Sequence, residues 1–464
     1  MLRHSPSALP ACSASSCCSA TAIAATDAQR RMNVRKTALS LLRDAEAGDK
    51  YIALTLDGYL NANPCDARDR ALLSTLVYGV TERRVPLDYF IDALAADPKK
   101  VGARMRQILR LGLYQLMYLD RIPPHAAVAE TVALGKSAGE RAFLNGILRG
   151  YLRRGAEIPL PTDPIERRAV ETGFPAPIVR LLDNNLGEDA DRALRALTTH
   201  PPITLAVNTL HRTRKDALAA LHAAGIAAEI CADAPRGITL LQNLPYSTLC
   251  EALGDGNFFV QDEASQIAVT ALDPRPGEFG ADVCACPGSK SLHAALLMQN
   301  TGEIHDFDLH ASKLPLITAS AARLGIDILD TEARDARTPR EDLCGKCDFV
   351  ICDVPCTGLG VMAKKPEIRF HDPDLYKTLA PLGGEILRAS ARYLRRGGRL
   401  LYSTCTLTRA ENEDNFRAFL AENPAFAPLD FTVGSVASRG GFVTLLPNGR
   451  RDGFFIGMLQ RTGD

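Results

Sequence analysis

The 464-residue chain carries no net charge, because 54 acidic side chains balance its 54 lysines and arginines. The composition as a whole therefore gives no argument for a nucleic-acid partner. The balance is uneven along the chain, however. Residues 33–154 contain 19 basic and 13 acidic side chains, an excess of six positive charges. This segment alone gives a modest indication of polyanion binding.

The sequence also lacks a disulfide framework and a zinc-binding pattern. Its 13 cysteines are odd in number and scattered through a long chain, unlike the dense, even sets of small secreted domains. The close pair Cys344 and Cys347 has no second pair and no spaced histidines to complete a tetrahedral zinc site. We therefore expect free thiols in a reducing cytoplasm and no metal centre.

No stretch is long and apolar enough to cross a membrane, so no membrane partner is expected. Residues 1–31 are rich in serine and alanine, and they are too polar for a membrane span or a secretory signal. They faintly resemble a transit peptide. A disordered extension, or a start codon assigned too early, is the preferred interpretation, because Met32 opens a natural domain start.

The remaining residues divide into three parts. Apolar side chains recur at helical spacing over 32–158 without strand-like alternation, which predicts an all-α domain. Three prolines between 159 and 164 mark a linker, and 159–257 mixes helices with short strands, as in a small α+β domain. Over 258–464, short apolar runs alternate with helices, which predicts a parallel, doubly wound α/β sheet.

Ligands of such a sheet bind at the carboxyl ends of its strands. Asp282, Asp308, Asp353 and Cys405 all fall at or near predicted strand ends. A second cysteine, Cys356, follows Asp353 in the sequence DVPCTGLG. Buried cysteines usually only pack, but two thiols that follow two neighbouring strands are harder to explain by packing alone.

The turn CACPGSKS, residues 284–291, follows one of these strands and opens a helix. It lacks the GxGxxG spacing of dinucleotide-binding turns and the GxxxxGK[ST] spacing of phosphate-binding loops. Its glycine and the free amides of the helix start suit another ligand, although an ordinary tight turn explains it equally well. Asp308 could accept hydrogen bonds from a ribose or could cap a helix.

Six segments together resemble the RNA cytosine-5 methyltransferase family. In chain order they are QDEASQ, CACPGSKSLH, DFDLHASKL, CDVPCTGLGVMAKKPEIRF, LLYSTCTLTRAENE and LPNGRRDGFFIGML. The helical part resembles the NusB fold at VYGVTERR and ERAFLNGILRG. The combination is the layout of the RsmB/Sun (Fmu) family of bacterial small-subunit ribosomal RNA methyltransferases, and the resemblance covers about residues 33–462.

The resemblance implies a multi-domain fold. It consists of an all-α NusB-like RNA-binding domain, a small α+β linker domain and an α/β Rossmann-like class I methyltransferase domain. It also implies methylation of carbon 5 of a cytosine in small-subunit ribosomal RNA, with S-adenosylmethionine as cofactor, in the cytoplasm. RNA is the expected partner, no membrane or metal is expected, and the chain is expected to act as a monomer.

Carbon 5 of cytosine is a poor nucleophile unless a thiolate first adds to carbon 6. The resemblance assigns this nucleophile to Cys405 and product release to Cys356. It implies that Asp353 hydrogen-bonds the base edge and that Lys290 lies beside the reacting groups. A free thiol is only a few per cent ionised at neutral pH, so the surroundings of Cys405 should lower its pKa.

The resemblance also implies which residues surround the cofactor: Cys284, Ala285, Cys286, Pro287, Gly288, Ser289, Lys290, Asp308, Asp335 and Asp353. For RNA phosphates, the segment AKKPEIR offers Lys364, Lys365 and Arg369. A solvated loop explains these three charges equally well.

Some positions depart from the family pattern, which usually reads CAAPGGK where this chain has CACPGSK. If position 289 needs a positive φ, Ser289 costs about 1 kcal/mol or more. Ala206, Gly383, and the polar pair His305 and Asp306 in a predicted strand are further departures. Together they leave open an alternative function, a catalytically weakened RNA-binding factor of the same fold.

Two other methyltransferase classes are weaker alternatives. An adenine amino-group methyltransferase would need Asp/Asn-Pro-Pro-Tyr/Phe at a strand end, where this chain has Asp-Val-Pro-Cys. A DNA cytosine methyltransferase would take its nucleophile from the Pro-Cys motif and would not need Cys405. Retention of both thiols, Asp353 and Lys290 argues against a weakened enzyme as well.

Overall fold

The computed structural model describes residues 32–48 and 51–463. The predicted disordered extension 1–31 lies outside these residues. The described chain forms a helical domain, a small mixed domain and an α/β domain, as the sequence predicts. The boundaries 32–158, 159–257 and 258–464 stay a prediction. Among the helices of the described residues, none has the length and hydropathy that a membrane span requires.

Seven helices build the helical domain around one apolar core. They are α1 (Val34–Gly48), α2 (Ile52–Ala62), α3 (Ala67–Glu82), α4 (Arg84–Leu94), α5 (Ala103–Tyr118), α6 (Pro124–Val132) and α7 (Ala138–Arg154). Leu76, Ile108 and Leu148 are fully enclosed in this core. The side chains of Asp66 and Ser137 accept hydrogen bonds from backbone amides and so fix the starts of α3 and α7.

The small domain holds a four-stranded antiparallel sheet with strand order β2-β3-β1-β4. Its elements are α8 (Pro164–Thr172), α9 (Ala176–Leu186), α10 (Ala190–Ala196), β1 (Thr204–Val207), α11 (Arg214–Ala223), β2 (Ala228–Ile230), β3 (Gly237–Leu240), α12 (Tyr246–Leu253) and β4 (Phe258–Val260). The two central strands are buried along their whole length. Its first helices share an apolar cluster with the segment that follows Cys356.

The α/β domain has eight strands in one sheet, ordered β10-β14-β9-β8-β5-β6-β7, with β13 beside β14. Its elements are α13 (Glu263–Leu272), β5 (Phe279–Asp282), α14 (Ser289–Leu297), β6 (Glu303–Asp308), α15 (Leu314–Leu324), β7 (Leu329–Ala333), β8 (Cys347–Asp353), α16 (Tyr376–Ala391), β9 (Leu394–Thr404), α17 (Asn415–Glu422), β10 (Phe426–Pro428), β11 (Thr432–Val433), β12 (Val436–Ala437), β13 (Phe442–Leu445) and β14 (Phe454–Arg461). Strands β5 to β9 are parallel, which confirms the predicted doubly wound core. The later strands β10, β13 and β14 pair antiparallel, so the sheet is mixed.

The predicted boundary between α16 and β9 is wrong. The sequence predicts a helix that runs to the glycine pair of LRRGG, but α16 ends at Ala391 and β9 begins at Leu394. Leu394 is fully buried and pairs with Cys347 at the start of β8, before a register shift at Phe349. Strand pairing across this irregularity overrides the glycine stop signal, which local sequence alone could not indicate.

The polar residues in β6 find different environments. His305 is buried between Glu303 and Asp330, with nitrogen–oxygen distances of 3.0 and 3.1 Å. Asp306 is fully buried beside Asp282 of β5. Burial, reinforced by the neighbouring Asp282 carboxyl, raises the pKa of Asp306 well above its ordinary value. A neutral Asp306 therefore avoids placing two negative charges side by side on the neighbouring strands β5 and β6.

Candidate active site

Two cysteine sulfurs meet at the carboxyl ends of β8 and β9. Cys405 follows the last residue of β9, and Cys356 lies three residues beyond Asp353, the end of β8. Their sulfurs are 3.4 Å apart. The backbone amide of Gly360 donates to the carbonyl oxygen of Cys405 at 2.9 Å, which ties the two loops together. The parallel pairing of β8 with β9 thus brings together the two thiols that the sequence singles out.

The pKa values of the two thiols are shifted in opposite directions. A hydrogen bond from Cys356 lowers the pKa of Cys405, and it outweighs burial, which acts in the other direction. Lys365 and Lys290 add further positive charge. The same hydrogen bond, together with burial, raises the pKa of Cys356 well above its ordinary value. Of the two, Cys405 is therefore the thiol that ionises more readily.

Asp353 and Lys290 form an ion pair beside the thiols. The Lys290 ammonium lies 2.6 Å from one Asp353 oxygen, and the Ser403 hydroxyl donates to the other at 2.6 Å. Burial alone would lower the pKa of Lys290, but the Asp353 carboxylate outweighs it and the pKa is raised. The ring of Phe454 lies 5.4 Å from the ammonium. The carboxylate is thus fixed in direction at the strand end.

A buried carboxylate that the sequence analysis missed joins both thiol loops. Glu411 is 2% exposed and accepts hydrogen bonds from the amide and the hydroxyl of Thr357, both at 2.7 Å. Its second oxygen also accepts from Thr408, on the loop after Cys405. Glu411 lies in a π-helical turn, Ala410–Asp414, a form that often occurs at functional sites. The only sequence signal, the acidic run AENE, reads as an exposed helix start.

The loop between β5 and α14 places a glycine with positive φ directly before the first turn of a helix. Gly288 adopts a φ of 103°, which side-chain-bearing residues rarely adopt. The amide of Ala285 donates to Phe307 O at 2.8 Å, which holds the loop against β6. Ser289 is the first residue of α14, so the strain considered at this position falls on Gly288 instead. The substitution at 289 therefore leaves the loop geometry intact.

The acids predicted for the cofactor lie at neighbouring strand ends. Asp308 ends β6, where one carboxylate oxygen accepts from the amide of His310 at 2.9 Å. Cys286 lies beside it, and burial together with this carboxylate raises the pKa of Cys286 to about 12. Asp335 follows β7, and its carboxylate is held by Arg337 at 2.6 Å. First-turn amides of α14 and the Asp308 carboxylate thus suit a ligand with an acidic group and a ribose.

The three basic residues proposed for RNA have unequal access to solvent. Lys365 is exposed and lies over the ring of Tyr51 at 4.8 Å. Lys364 contacts the carboxylates of Asp262 and Asp452 at 2.5 and 2.8 Å. Arg369 is 3% exposed, which speaks against a direct phosphate contact and corrects that expectation. The sequence could not separate these roles, because burial here depends on other domains.

Within residues 32–48 and 51–463, no group of three or more histidine, cysteine or acidic side chains is arranged to hold a metal ion. Cys344 and Cys347 are free thiols, and Cys347 is fully buried in the apolar core of the sheet. The close cysteine pair therefore contributes to packing.

A parallel sheet with a glycine-bearing loop after its first strand and an acid at the end of the second is typical of Rossmann-like folds that bind a ribose-containing cofactor. The comparisons with known proteins agree. Residues 269–460 match the family described as 16S rRNA methyltransferase RsmB/F. The family match makes this chain an S-adenosylmethionine-dependent methyltransferase. Residues 32–153 match the NusB family, and residues 174–247 match the ferredoxin-like domain of RsmF/B-like methyltransferases.

Similarity to individual proteins extends over nearly the whole chain. The chain is 35% identical over 449 residues to "Probable ribosomal RNA small subunit methyltransferase B" of Bacillus subtilis, covering 94% of this chain and all of that protein. The crystal structure of PH0851 superposes with a TM-score of 0.77 at 25% identity, covering 92% of this chain and 98% of that one. A methyltransferase homolog protein from Pyrococcus horikoshii gives a TM-score of 0.56 at 26% identity, covering 65% of this chain and 100% of that one. The chain belongs to the ribosomal RNA small subunit methyltransferase B family, which confirms the resemblance read from its motifs.

Proposed function

We propose that this protein methylates carbon 5 of a cytosine in small-subunit ribosomal RNA through a covalent bond between Cys405 and carbon 6. The observation that carries the proposal is the contact between two thiols of opposite acid strength, 3.4 Å apart, beside a fixed carboxylate. Packing alone gives no reason to lower the pKa of a buried thiol, since burial raises it.

Cys405 begins the reaction as the nucleophile. Its thiolate forms a bond to carbon 6. The C5–C6 π electrons then form a C4–C5 double bond, and the electron pair of the C4–N3 double bond goes to nitrogen 3. The Asp353 carboxylate lies at the end of the neighbouring strand, where it can hydrogen-bond the base edge and favour protonation of that nitrogen. Lys290 and Ser403 hold this carboxylate in place. Carbon 5 then becomes the nucleophile.

The loop 284–290 and Asp308 would hold S-adenosylmethionine, with the α14 amides near its carboxylate and Asp308 near its ribose. When bound, the cofactor supplies an electrophilic sulfonium methyl group for carbon 5. The same proposed surface includes Cys284, Ala285, Pro287 and Lys290. Asp335 is a less direct member because Arg337 already bonds both of its oxygens.

Cys356 would complete the turnover. After methyl transfer, a base must remove the proton from carbon 5, so that the C5–C6 double bond re-forms and the bond to Cys405 breaks. While Cys405 is a thiolate, Cys356 stays protonated and donates a hydrogen bond to it. Once the Cys405 sulfur is bonded to carbon 6, that acceptor is lost and Cys356 is free to ionise. Cys356 is then placed to assist proton removal and release of the methylated RNA.

Lys365 is the basic residue best placed for RNA phosphate, because it is exposed and close enough to Cys405 to influence its pKa. We also propose that the protein works as a monomer, because both thiols, Asp353 and Lys290 come from one chain. We place it in the cytoplasm because it resembles a bacterial ribosomal RNA methyltransferase.

The direct test uses methyl-labelled S-adenosylmethionine, unmodified small-subunit ribosomal RNA, and the variants Cys405→Ala and Cys356→Ala. The proposal predicts label in 5-methylcytosine with the unaltered protein and none with Cys405→Ala. Label in another nucleoside, or full activity of Cys405→Ala, would contradict it. Binding of RNA and cofactor without any transfer would favour the weakened RNA-binding factor.

A further inference from the structure

We propose that Arg369 is a positioning residue. It links the docking of the helical domain on the rest of the protein to the position of the Cys356 thiol. The inference rests on the proposed function for the role of that thiol. The residues that carry it form one continuous stretch, 356–371, here called the thiol-to-arginine segment. It begins in the active site and ends against the helical domain.

Arg369 bonds three parts of the chain at once. Its guanidinium donates to Glu82 O at 3.1 Å, to Leu197 O at 3.1 Å and to Met362 O at 3.3 Å. These carbonyls belong to the helical domain, the small domain and the segment itself. The guanidinium also lies 4.1 Å from the ring centroid of Phe174, in the small domain. Arg369, which is 3% exposed, thus connects all three domains through its side chain.

The positions of the accepting carbonyls explain why a cation is buried there. Glu82 is the last residue of α3, and Leu197 is the C-cap residue directly after α10. Carbonyls in the last turn of a helix lack intrahelical donors and carry the negative end of the helix dipole. Arg369 therefore caps two helices from two different domains. A neutral side chain of similar length would fill the space but leave both helix ends without this donor.

The segment between Cys356 and Arg369 is held along its length. Gly360 packs so closely on the backbone of Gly453 that an added Cβ would meet that carbonyl oxygen at 2.0 Å. Lys364 is fixed by two carboxylates, as described above. Beyond the lysines, Glu367 accepts a hydrogen bond from the amide of Ile52 in α2 at 3.3 Å. Arg369 reaches back past Lys364 to the carbonyl of Met362, so a displaced Arg369 acts directly on the part of the segment that is nearer to Cys356.

The same segment meets the helical domain in a second place. The Arg84 guanidinium at the start of α4 lies 4.6 Å from the ring of Phe370. A cavity of about 130 Å³ separates the two surfaces nearby, lined by residues of both domains. Arg369 is one of the side chains that connect all three domains. Its loss should loosen the docking and shift the thiol.

The first experiment measures how fast the two thiols can be joined. Diamide removes two electrons and two protons from a pair of thiols, forming one sulfur–sulfur bond while its azo group is reduced to a hydrazine. At limiting diamide, the rate at which the Cys356–Cys405 disulfide forms is followed by peptide mass spectrometry. This rate depends on how closely the two sulfurs, 3.4 Å apart in the structure, are held together. The variants are Arg369→Met, Arg369→Lys and the control Arg388→Met, which removes an exposed arginine paired with Glu422.

We expect unaltered protein and Arg388→Met to cross-link at the same rate. Arg369→Met should be slower by about 100-fold, as expected for a displacement of about 1 Å, and Arg369→Lys should lie between. An unchanged rate in Arg369→Met would overturn the proposal. A loss of cofactor affinity as large as the loss of cross-linking rate, measured by calorimetry, would also overturn the proposal, because it would indicate general unfolding. If Arg369→Met does not fold, Glu367→Ala, which removes the neighbouring contact to Ile52, must show the slower cross-linking.

The second experiment links the segment to turnover. With cofactor saturating and the RNA concentration varied, Arg369→Met should lower kcat more than it raises the KM for RNA and should accumulate protein–RNA adduct, because Cys405 still attacks while Cys356 is misplaced. A raised KM with unchanged kcat and no adduct would overturn the coupling. If the unaltered protein forms no adduct and transfers no methyl group, the proposed function fails, whereas the cross-linking rates still decide the role of Arg369.

Discussion

Removing the hydrogen bond between the thiols should raise the pKa of Cys405. In the structure, Cys356 is the largest influence that lowers this pKa, ahead of Lys365 and Lys290, while burial opposes all three. A hydrogen bond to a charged acceptor contributes about 1.5–3 kcal/mol, and about 1.4 kcal/mol is a factor of ten, so Cys356→Ala should lower the thiolate fraction of Cys405 at neutral pH by about 10–100-fold. Cys356→Ser keeps a donor and should retain most of the effect.

The assay is alkylation by iodoacetamide as a function of pH, with Cys405 followed by peptide mass spectrometry because the described residues contain ten free cysteines. At neutral pH the Cys405 peptide should react about 10–100 times more slowly in Cys356→Ala than in the unaltered protein. A midpoint within about 0.3 pH units of the unaltered protein would refute the reasoning. The lysines, rather than the second thiol, would then set the acidity, and Lys290→Met would show the larger shift.

Three further predictions concern other buried or ligand-facing groups of the α/β domain. Glu411→Gln keeps the volume but not the charge that three donors share, so urea denaturation should show a loss of about 2–4 kcal/mol of unfolding free energy. Burial lowers the pKa of His293 from 6.5 to about 3, so its neutral form stabilises the fold above pH 6.5, and this contribution is lost as pH falls toward 3. His293→Asn should therefore flatten the fall of unfolding free energy by about 1.4 kcal/mol per pH unit between about pH 4 and 6. Asp308→Asn should weaken S-adenosylmethionine binding by about tenfold in calorimetry, because one charge-assisted hydrogen bond is lost.

Two of these predictions have a matched control variant, and the third has an outcome that would contradict it. Glu422→Gln removes a carboxylate paired with an exposed arginine and should cost less than about 1 kcal/mol, so an equal cost for both glutamates would contradict the role of Glu411. Asp327→Asn, at an exposed site near the end of α15, should leave cofactor affinity unchanged. An unaltered pH slope in His293→Asn would mean that His293 takes up its proton without cost in the folded protein.

The sequence was sufficient to predict the side chains whose position follows from strand ends. Cys405, Asp353 and Lys290 are brought together because β5, β8 and β9 are adjacent and parallel, and alternation of strands and helices predicts that arrangement. Cys356 follows from the same logic, since it lies just beyond β8. Family resemblance supplied the chemical roles, which spacing alone did not.

The residues that the sequence did not reveal depend on contacts between distant segments. Glu411 lies in an acidic run that looks solvent-exposed, but it is buried because the loops after β8 and β9 close over it. Arg369 lies among lysines in a segment that looks like a basic loop, yet its partners are 172 and 287 residues away along the chain. Local patterns carry no signal for contacts of that kind.

The measurement that tests the account most directly is the location of the covalent bond to RNA. Cys356→Ala would be incubated with unmodified small-subunit ribosomal RNA and S-adenosylmethionine, digested with nuclease and protease, and mapped by mass spectrometry. The account predicts a methylated cytidine adduct on the peptide that contains Cys405, absent from the Cys405→Ala, Cys356→Ala double variant. An adduct on another cysteine, or 5-methylcytosine formed at the normal rate without Cys405, would contradict it.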